Sequence, residues 1–167
     1  MVHVSVPRSL FHRAVGDVTI DGVLVSSLPE GARQAATCLV GGEWFRAQVS
    51  WSAWGRAGAT DGGRPIPAVG DPGDTLLAAL PVVLDDEGTA RGVVFGHAAG
   101  DVEVVRARFG PGHADEMRPV EGWFALAGVW SGGDVSLVAI RRGGTRVRVA
   151  VPGAGRKGAS ERCLSGT

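Results

Sequence analysis

The stretch DVSLVAIRRGGTRVRVAV, Asp134 to Val151, decides the fold. In its second half Val147, Val149 and Val151 alternate with Arg146, Arg148 and Ala150. In its first half Val135, Leu137 and Ala139 alternate with Ser136, Val138 and Ile140. Successive side chains of an extended chain point to opposite faces, so a period of two marks a strand with one buried face. Gly143-Gly144 stands between the runs, and glycine reaches positive φ without steric cost. The stretch therefore predicts two antiparallel strands joined by a tight turn.

The same period recurs upstream. From Trp44 to Trp51, Phe45, Ala47, Val49 and Trp51 share one face, and Trp44, Arg46, Gln48 and Ser50 the other. Asp101–Phe109 changes phase, with Val102 and Val104 on one side and Val105, Ala107 and Phe109 on the other. A bulge near Val104-Val105, or burial of both faces, accounts for that. Val18 and Ile20 are likewise out of phase with Val23 and Val25, which makes Asp21-Gly22 a tight turn or a bulge. Leu76–Leu84 is apolar throughout except for Pro81, which has no N–H to give a ladder. It reads as an edge strand or as two short pieces separated by a bend. Asp85-Asp86-Glu87-Gly88 reads as a turn before a strand from Ala90 to Phe95.

No segment holds a long period of 3.6. The best helical candidate, Glu30–Cys38, supports one or two turns. Gly55–Gly73 reads as a linker and Pro152–Thr167 as a mobile, Gly-rich tail. The expected fold is all-β, an antiparallel β-sandwich or partly closed barrel, with residues 1–151 as the domain and 152–167 as tail.

A faint repeat suggests two related β units, 10–54 and 74–151. FHRAVGDV from Phe11 and FGHAAGDV from Phe95 share Phe, Ala, Gly, Asp and Val at equivalent places, and each is followed by a Trp-Phe pair, Trp44-Phe45 and Trp123-Phe124. Coincidence in a chain rich in Ala, Gly and Val is the alternative.

The 167 residues suffice for one domain with a real core, and 27 glycines imply many turns. Formal net charge is zero, so there is no overall positive field to hold nucleic acid. No apolar run approaches the roughly 20 residues that span a bilayer. MVHVSVPRSLF carries no apolar leader core, which points to the cytoplasm for the chain as given, or outside it if the chain is part of a longer one. Cys38 and Cys163 either form a long-range disulfide or stay as two thiols.

Candidate chemistry is sparse. Aromatic rings can stack on an apolar ligand, and Trp44, on the polar face of its strand, and Trp54, at a strand end, are the candidate ligand-binding tryptophans. Core packing is the alternative for all five. Arg141, Arg142, Arg146 and Arg148 flank one hairpin. Arg146 and Arg148 share a face on which they either hold a carboxylate or phosphate by paired hydrogen bonds or shield a sheet edge. His97 with Asp101, and His113 with Asp115 or Glu116, are the only acid–base pairings in view. No HxH or HExxH spacing marks a metal, and Asp85-Asp86-Glu87 lacks the remaining spacing of a calcium loop. Neither a nucleophile elbow nor a phosphate loop is present, since GAGRKG, Gly153 to Gly158, lacks the Gly-Lys-Ser/Thr ending. No catalytic residue, cofactor or metal is assigned.

The order ARGVVFGHAAGDVEVV, a loop, VEGWFALAG and then VSLVAIRRGG resembles that of uncharacterised actinobacterial β-sandwich domains, often extracytoplasmic, over about residues 90–144. The preference for arginine, with Lys157 the lone lysine, matches such a source. The chain departs from them in having no membrane anchor or lipobox. The resemblance implies a β-sandwich and carries no catalytic set. The expected function is a non-enzymatic binding or protein-interaction domain, its partner a protein or a small apolar ligand, with self-association open. The alternatives are a small β-barrel enzyme of the cyclase or isomerase class acting on a hydrophobic metabolite, and a structural subunit of an assembly.

Overall fold

A computed structural model describes residues 7–16, 18–27, 34–41, 45–51, 57–61, 64–70, 75–80, 82–84 and 89–153. In chain order the strands are β1 (Arg8–Val15), β2 (Val18–Ser27), β3 (Gln34–Val40), β4 (Phe45–Trp51), β5 (Ala57–Asp61), β6 (Arg64–Ile66), β7 (Ala68–Val69) and β8 (Leu76–Ala79). They continue as β9 (Val82–Leu84), β10 (Ala90–Ala98), β11 (Val102–Gly110), β12 (His113–Met117), β13 (Trp123–Val129), β14 (Val135–Arg141) and β15 (Arg146–Val151). The protein is all-β, and every pairing between named strands is antiparallel. Among the described residues there is no helix.

The expected hairpin is β14–β15, with Val135 opposite Val151 and Ile140 opposite Arg146. Its turn closes when the Gly144 N–H donates to the Arg141 carbonyl at 2.9 Å. Gly143 sits there at φ 94°, at the third position of the turn, where a type II turn requires positive φ.

Three open sheets are formed. The first is a meander in which β1 to β6 lie side by side in sequence order. The second runs β13-β10-β8-β7, with β9 also on β10, and the third runs β12-β11-β14-β15. The second sheet is the middle layer. Leu76, Ala78, Leu80, Val94, Phe124 and Leu126 pack with Val105, Ala107, Leu137 and Val151 of the third sheet. The alternate residues Leu77, Ala79, Val93, Phe95, Trp123 and Ala125 pack with Ile20, Ala36, Cys38 and Val49 of the first. A sheet covered on both faces needs apolar side chains at every position. That is the reason Leu76–Leu80 and Trp123–Ala127 read as unbroken apolar runs.

Close packing in this layer depends on missing side chains. Gly92 and Gly128 are cross-strand partners in β10 and β13, and the Phe109 ring of the third sheet lies over both. A Cβ at Gly128 would stand 2.5 Å from Phe109 Cδ2.

Several expectations are corrected. Gln34–Cys38 is strand rather than helix, because β2 and β4 flank it and Ala36, Cys38 and Val40 are buried on one face. The remainder of that candidate lies outside the described residues. Tertiary pairing here overrides the helical leaning of Ala and Gln. The supposed linker from Gly55 to Gly73 contains β5, β6 and β7, short strands of which β5 pairs with β4 and β7 with β8 outside the segment, while β6 pairs with β5. Asp21-Gly22 is neither turn nor bulge. Gly22 sits in register opposite Phe11 and Cys38, and the Phe11 ring occupies the space its side chain would take. The irregularities fall at Ser9/Phe11 and at Leu24/Ser26 instead.

The bulge in β11 is present, between Val102 and Val104, and it lets Val102 and Val105 both reach the core. Leu76–Leu84 forms two pieces, β8 and β9, that keep one register on β10, Ala79 opposite Phe95 and Val82 opposite Gly92. Of the presumed tail, Pro152 and Gly153 are ordered parts of the fold. Gly153 bridges Leu80 and packs under the Trp130 ring. Residues 154–167, and residues 85–88 where a turn is expected, lie outside the described residues.

The two FxxAxGDV segments stand at different topological places. The first leads into the β1–β2 hairpin within one sheet, and the second turns from β10 in the second sheet to β11 in the third.

Candidate functional site

The sequence singled out two tryptophans and two arginines. Trp44 and Trp54 lie outside the described residues. Trp123 and Trp130 are core residues, 1% and 6% exposed. Trp123 stacks on Phe95 at 5.6 Å, and the Trp130 indole N–H donates to the Gly133 carbonyl at 2.9 Å. Both rings thus serve packing, as the core reading of the tryptophans expects.

The two histidine–carboxylate pairings are not assembled, because the carboxylates are engaged by arginines. Asp101 accepts from Arg141 Nε at 2.6 Å, tying the β10–β11 corner to the end of β14. Glu116 accepts from Arg106 Nε at 2.9 Å. Asp115 is held by Arg13. His97 lies edge-on to Trp123 with ring centres 5.1 Å apart, and its imidazole bonds the Glu121 backbone. Burial disfavours its charged form and lowers its pKa to about 4, against a smaller opposing effect of that hydrogen bond. His97 is therefore a neutral packing residue near pH 7. His113 is exposed at the start of β12.

Sequence reasoning missed the junction around Arg13. β13 is an edge strand of the middle sheet, so the N–H and C=O groups of Ala125 and the N–H of Ala127 face outward. Side chains from the other two sheets cap them. Arg13 Nη1 donates to the Ala125 carbonyl at 2.7 Å, the Ala127 N–H donates to Asp115 Oδ2 at 3.0 Å, and the Ala125 N–H meets Met117 Sδ at 3.3 Å. The signal was an arginine in phase with Phe11 and Val15, where an apolar residue belongs. His12 and Asp21, cross-strand partners in β1 and β2, form an exposed pair at 2.5 Å.

Cys38 is a free thiol, fully buried, and burial followed by the nearby Asp21 charge pushes its pKa well up. It is not an available nucleophile. Among the described residues no group of three His, Cys, Asp or Glu side chains is placed to hold a metal, and no helix is long and apolar enough to cross a membrane.

Arg146 and Arg148 are exposed on the outer face of β15, since Val147 and Val149 turn inward to the core. Register extends that face. Arg148 stands opposite Val138, which stands opposite Arg106, which stands opposite Glu116. Directly opposed residues share a face, and neighbouring strands lie about 4.8 Å apart, so Arg106 and Arg148 flank Val138 on either side, their backbones about 10 Å from each other. Val138 faces outward and yet is only 9% exposed, as expected beneath the aliphatic stems of long cationic side chains. Arg108 is two residues along β11 from Arg106 and lies opposite Ser136. Glu116 engages Arg106, whereas no carboxylate among the described residues engages Arg108, Arg146 or Arg148. An outward array of planar, permanently charged guanidiniums suits carboxylate or phosphate groups.

Comparison with known proteins finds no matching family model, no matching curated protein and no matching solved structure.

Proposed function

We propose that the chain is a non-enzymatic β-rich binding domain, and that it engages an anionic region of a protein partner through the arginine face of its third sheet. The supporting observation is the array of Arg108, Arg146 and Arg148 on one outer sheet face, with guanidiniums not committed to carboxylates among the described residues. Arginines that serve the fold elsewhere in this protein are paired, as Arg13 and Arg141 are. The inner side of that sheet is packed on the middle sheet through Val105, Ala107, Leu137 and Val151, which leaves the outer side to carry the arginines. In this reading the partner is a protein rather than a small apolar ligand, because the groups on offer are spread, charged and exposed.

The test is titration with polyglutamate, comparing the wild type with the Arg146→Ser/Arg148→Ser double variant. Saturable binding that weakens with salt, and weakens about tenfold in the variant, a loss of about 1.4 kcal/mol, is the expected result. Equal binding by both proteins would show that the face is not the site. Both arginines are exposed, so the urea midpoint of the variant should stay close to that of the wild type.

A further inference from the structure

We infer that the outer edge of β15 accepts an extended acidic peptide as an added antiparallel strand, an inference that rests on the arginine face being the binding surface. The third sheet ends at β15. The Arg141 N–H donates to the Thr145 carbonyl at 2.8 Å, which makes Arg141 and Thr145 a hydrogen-bonded pair. Hydrogen-bonded and non-hydrogen-bonded pairs alternate along an antiparallel ladder. Val147, Val149 and Val151 therefore direct their backbone groups to β14, while Arg146, Arg148 and Ala150 direct theirs away from it. No backbone partner among the described residues meets those outward groups, and the bridge from Gly153 to Leu80 begins only beyond the strand. The open edge from Arg146 to Ala150 is about 17 Å long at 3.4 Å per residue, enough for a peptide of comparable length.

The chemistry of the occupant follows from the same parity. The residues whose backbones point outward are those whose guanidiniums lie on the outer face. A peptide residue directly opposite Arg146 or Arg148 would exchange two backbone hydrogen bonds with it and set its side chain beside the guanidinium. An acidic residue is favoured there, because opposite charges across a strand pair attract and like charges repel. The intervening peptide residue would lie on the inner face beside Val147 and Val149, which pack against the core and remain half-buried. An apolar side chain there would extend that core. The motif is acidic–apolar–acidic in an extended conformation, bound by strand addition. A second copy of the chain is a poor occupant, since pairing β15 with itself across the open edge sets arginine opposite arginine.

The test uses the full chain and capped peptides of alternating Glu and Val, one unmodified, one N-methylated at the Glu positions and one at the Val positions. All three carry the same charge. The Glu amides are the ones that face the protein in this register. Expected results are saturable binding of the unmodified peptide, a loss of about tenfold or more on Glu N-methylation, and a change of about twofold or less on Val N-methylation. Slowed exchange of the Arg146 and Arg148 amides on binding is expected alongside. If both methylated peptides bind as well as the unmodified one, and the Arg146→Ser/Arg148→Ser variant still binds all three more weakly, strand addition is overturned and the arginine-face reading survives. If neither the peptides nor polyglutamate bind, both are overturned.

Discussion

Arg13 grips Asp115 with two hydrogen bonds, Nη1 to Oδ2 at 2.9 Å and Nη2 to Oδ1 at 2.8 Å, between strands of two different sheets. Both side chains are largely buried, 19% and 11% exposed, and each also caps the open edge of the middle sheet at Ala125 or Ala127. Removing one member of such a pair strands the other charge, which typically costs about 3–5 kcal/mol. Arg13→Met should lower the urea midpoint accordingly. The double replacement Arg13→Met/Asp115→Leu should recover little of the loss, because the Ala125 carbonyl and the Ala127 N–H would still be without their caps. A double variant as stable as the wild type would show that the edge capping contributes nothing.

Phe109 lies across the Gly92 and Gly128 pair, joining the third sheet to the middle one. Phe109→Ala should destabilise the fold by about 3–5 kcal/mol. Gly128→Ala should destabilise it too, since the new methyl group meets the ring. The combination Gly128→Ala/Phe109→Ala should cost less than the sum of the single changes, because residues in direct contact couple. Thermal unfolding of the four proteins measures that coupling, and strict additivity would refute the contact.

His97 gives stability a pH dependence of known sign. Its folded pKa is about 4 and its ordinary value is 6.5. Below 6.5 the unfolded chain binds the proton first, so stability falls as pH drops from 6.5 towards 4 and levels off below. At neutral pH the stabilisation is fully present. The contribution is of order 1–3 kcal/mol. In His97→Gln this component of the slope between pH 6.5 and 4 should vanish, as read from urea midpoints across that range.

Amide exchange should alternate along β15 in the unliganded protein. Val147 and Val149 donate to β14 and should exchange slowly, whereas Arg146, Arg148 and Ala150 should exchange quickly. Uniform protection along the strand would mean that the edge is already covered.

The strands whose one face meets solvent were legible from alternation alone. Thr145–Val151 and Asp134–Ile140 fell where their period placed them, and Gly143-Gly144 marked their turn. Two-sided strands carried less information. Leu76–Leu84 was visible as apolar, but periodicity has nothing to say about which face meets which core when both are buried. Gln34–Cys38 was misread because its local composition leans towards helix while its neighbours on either side are strands. Of the candidate site, Arg146 and Arg148 could be placed on one face from spacing. Their alignment with Arg106 and Arg108 could not, since it depends on the register of β11 against β14 and on a bulge between Val102 and Val104.

The sequence by itself determined the class of the protein. A period of two repeated along the chain, punctuated by glycine, with no long helical period, can bury its apolar side chains only in sheets. Tertiary structure decided the rest. It decided that one sheet lies between two others, that Arg13 finds Asp115, and that β15 ends its sheet with arginine backbones facing outward. These are pairings between residues far apart in the chain, and their energies depend on contacts and hydrogen bonds that exist only once the sheets are stacked in register.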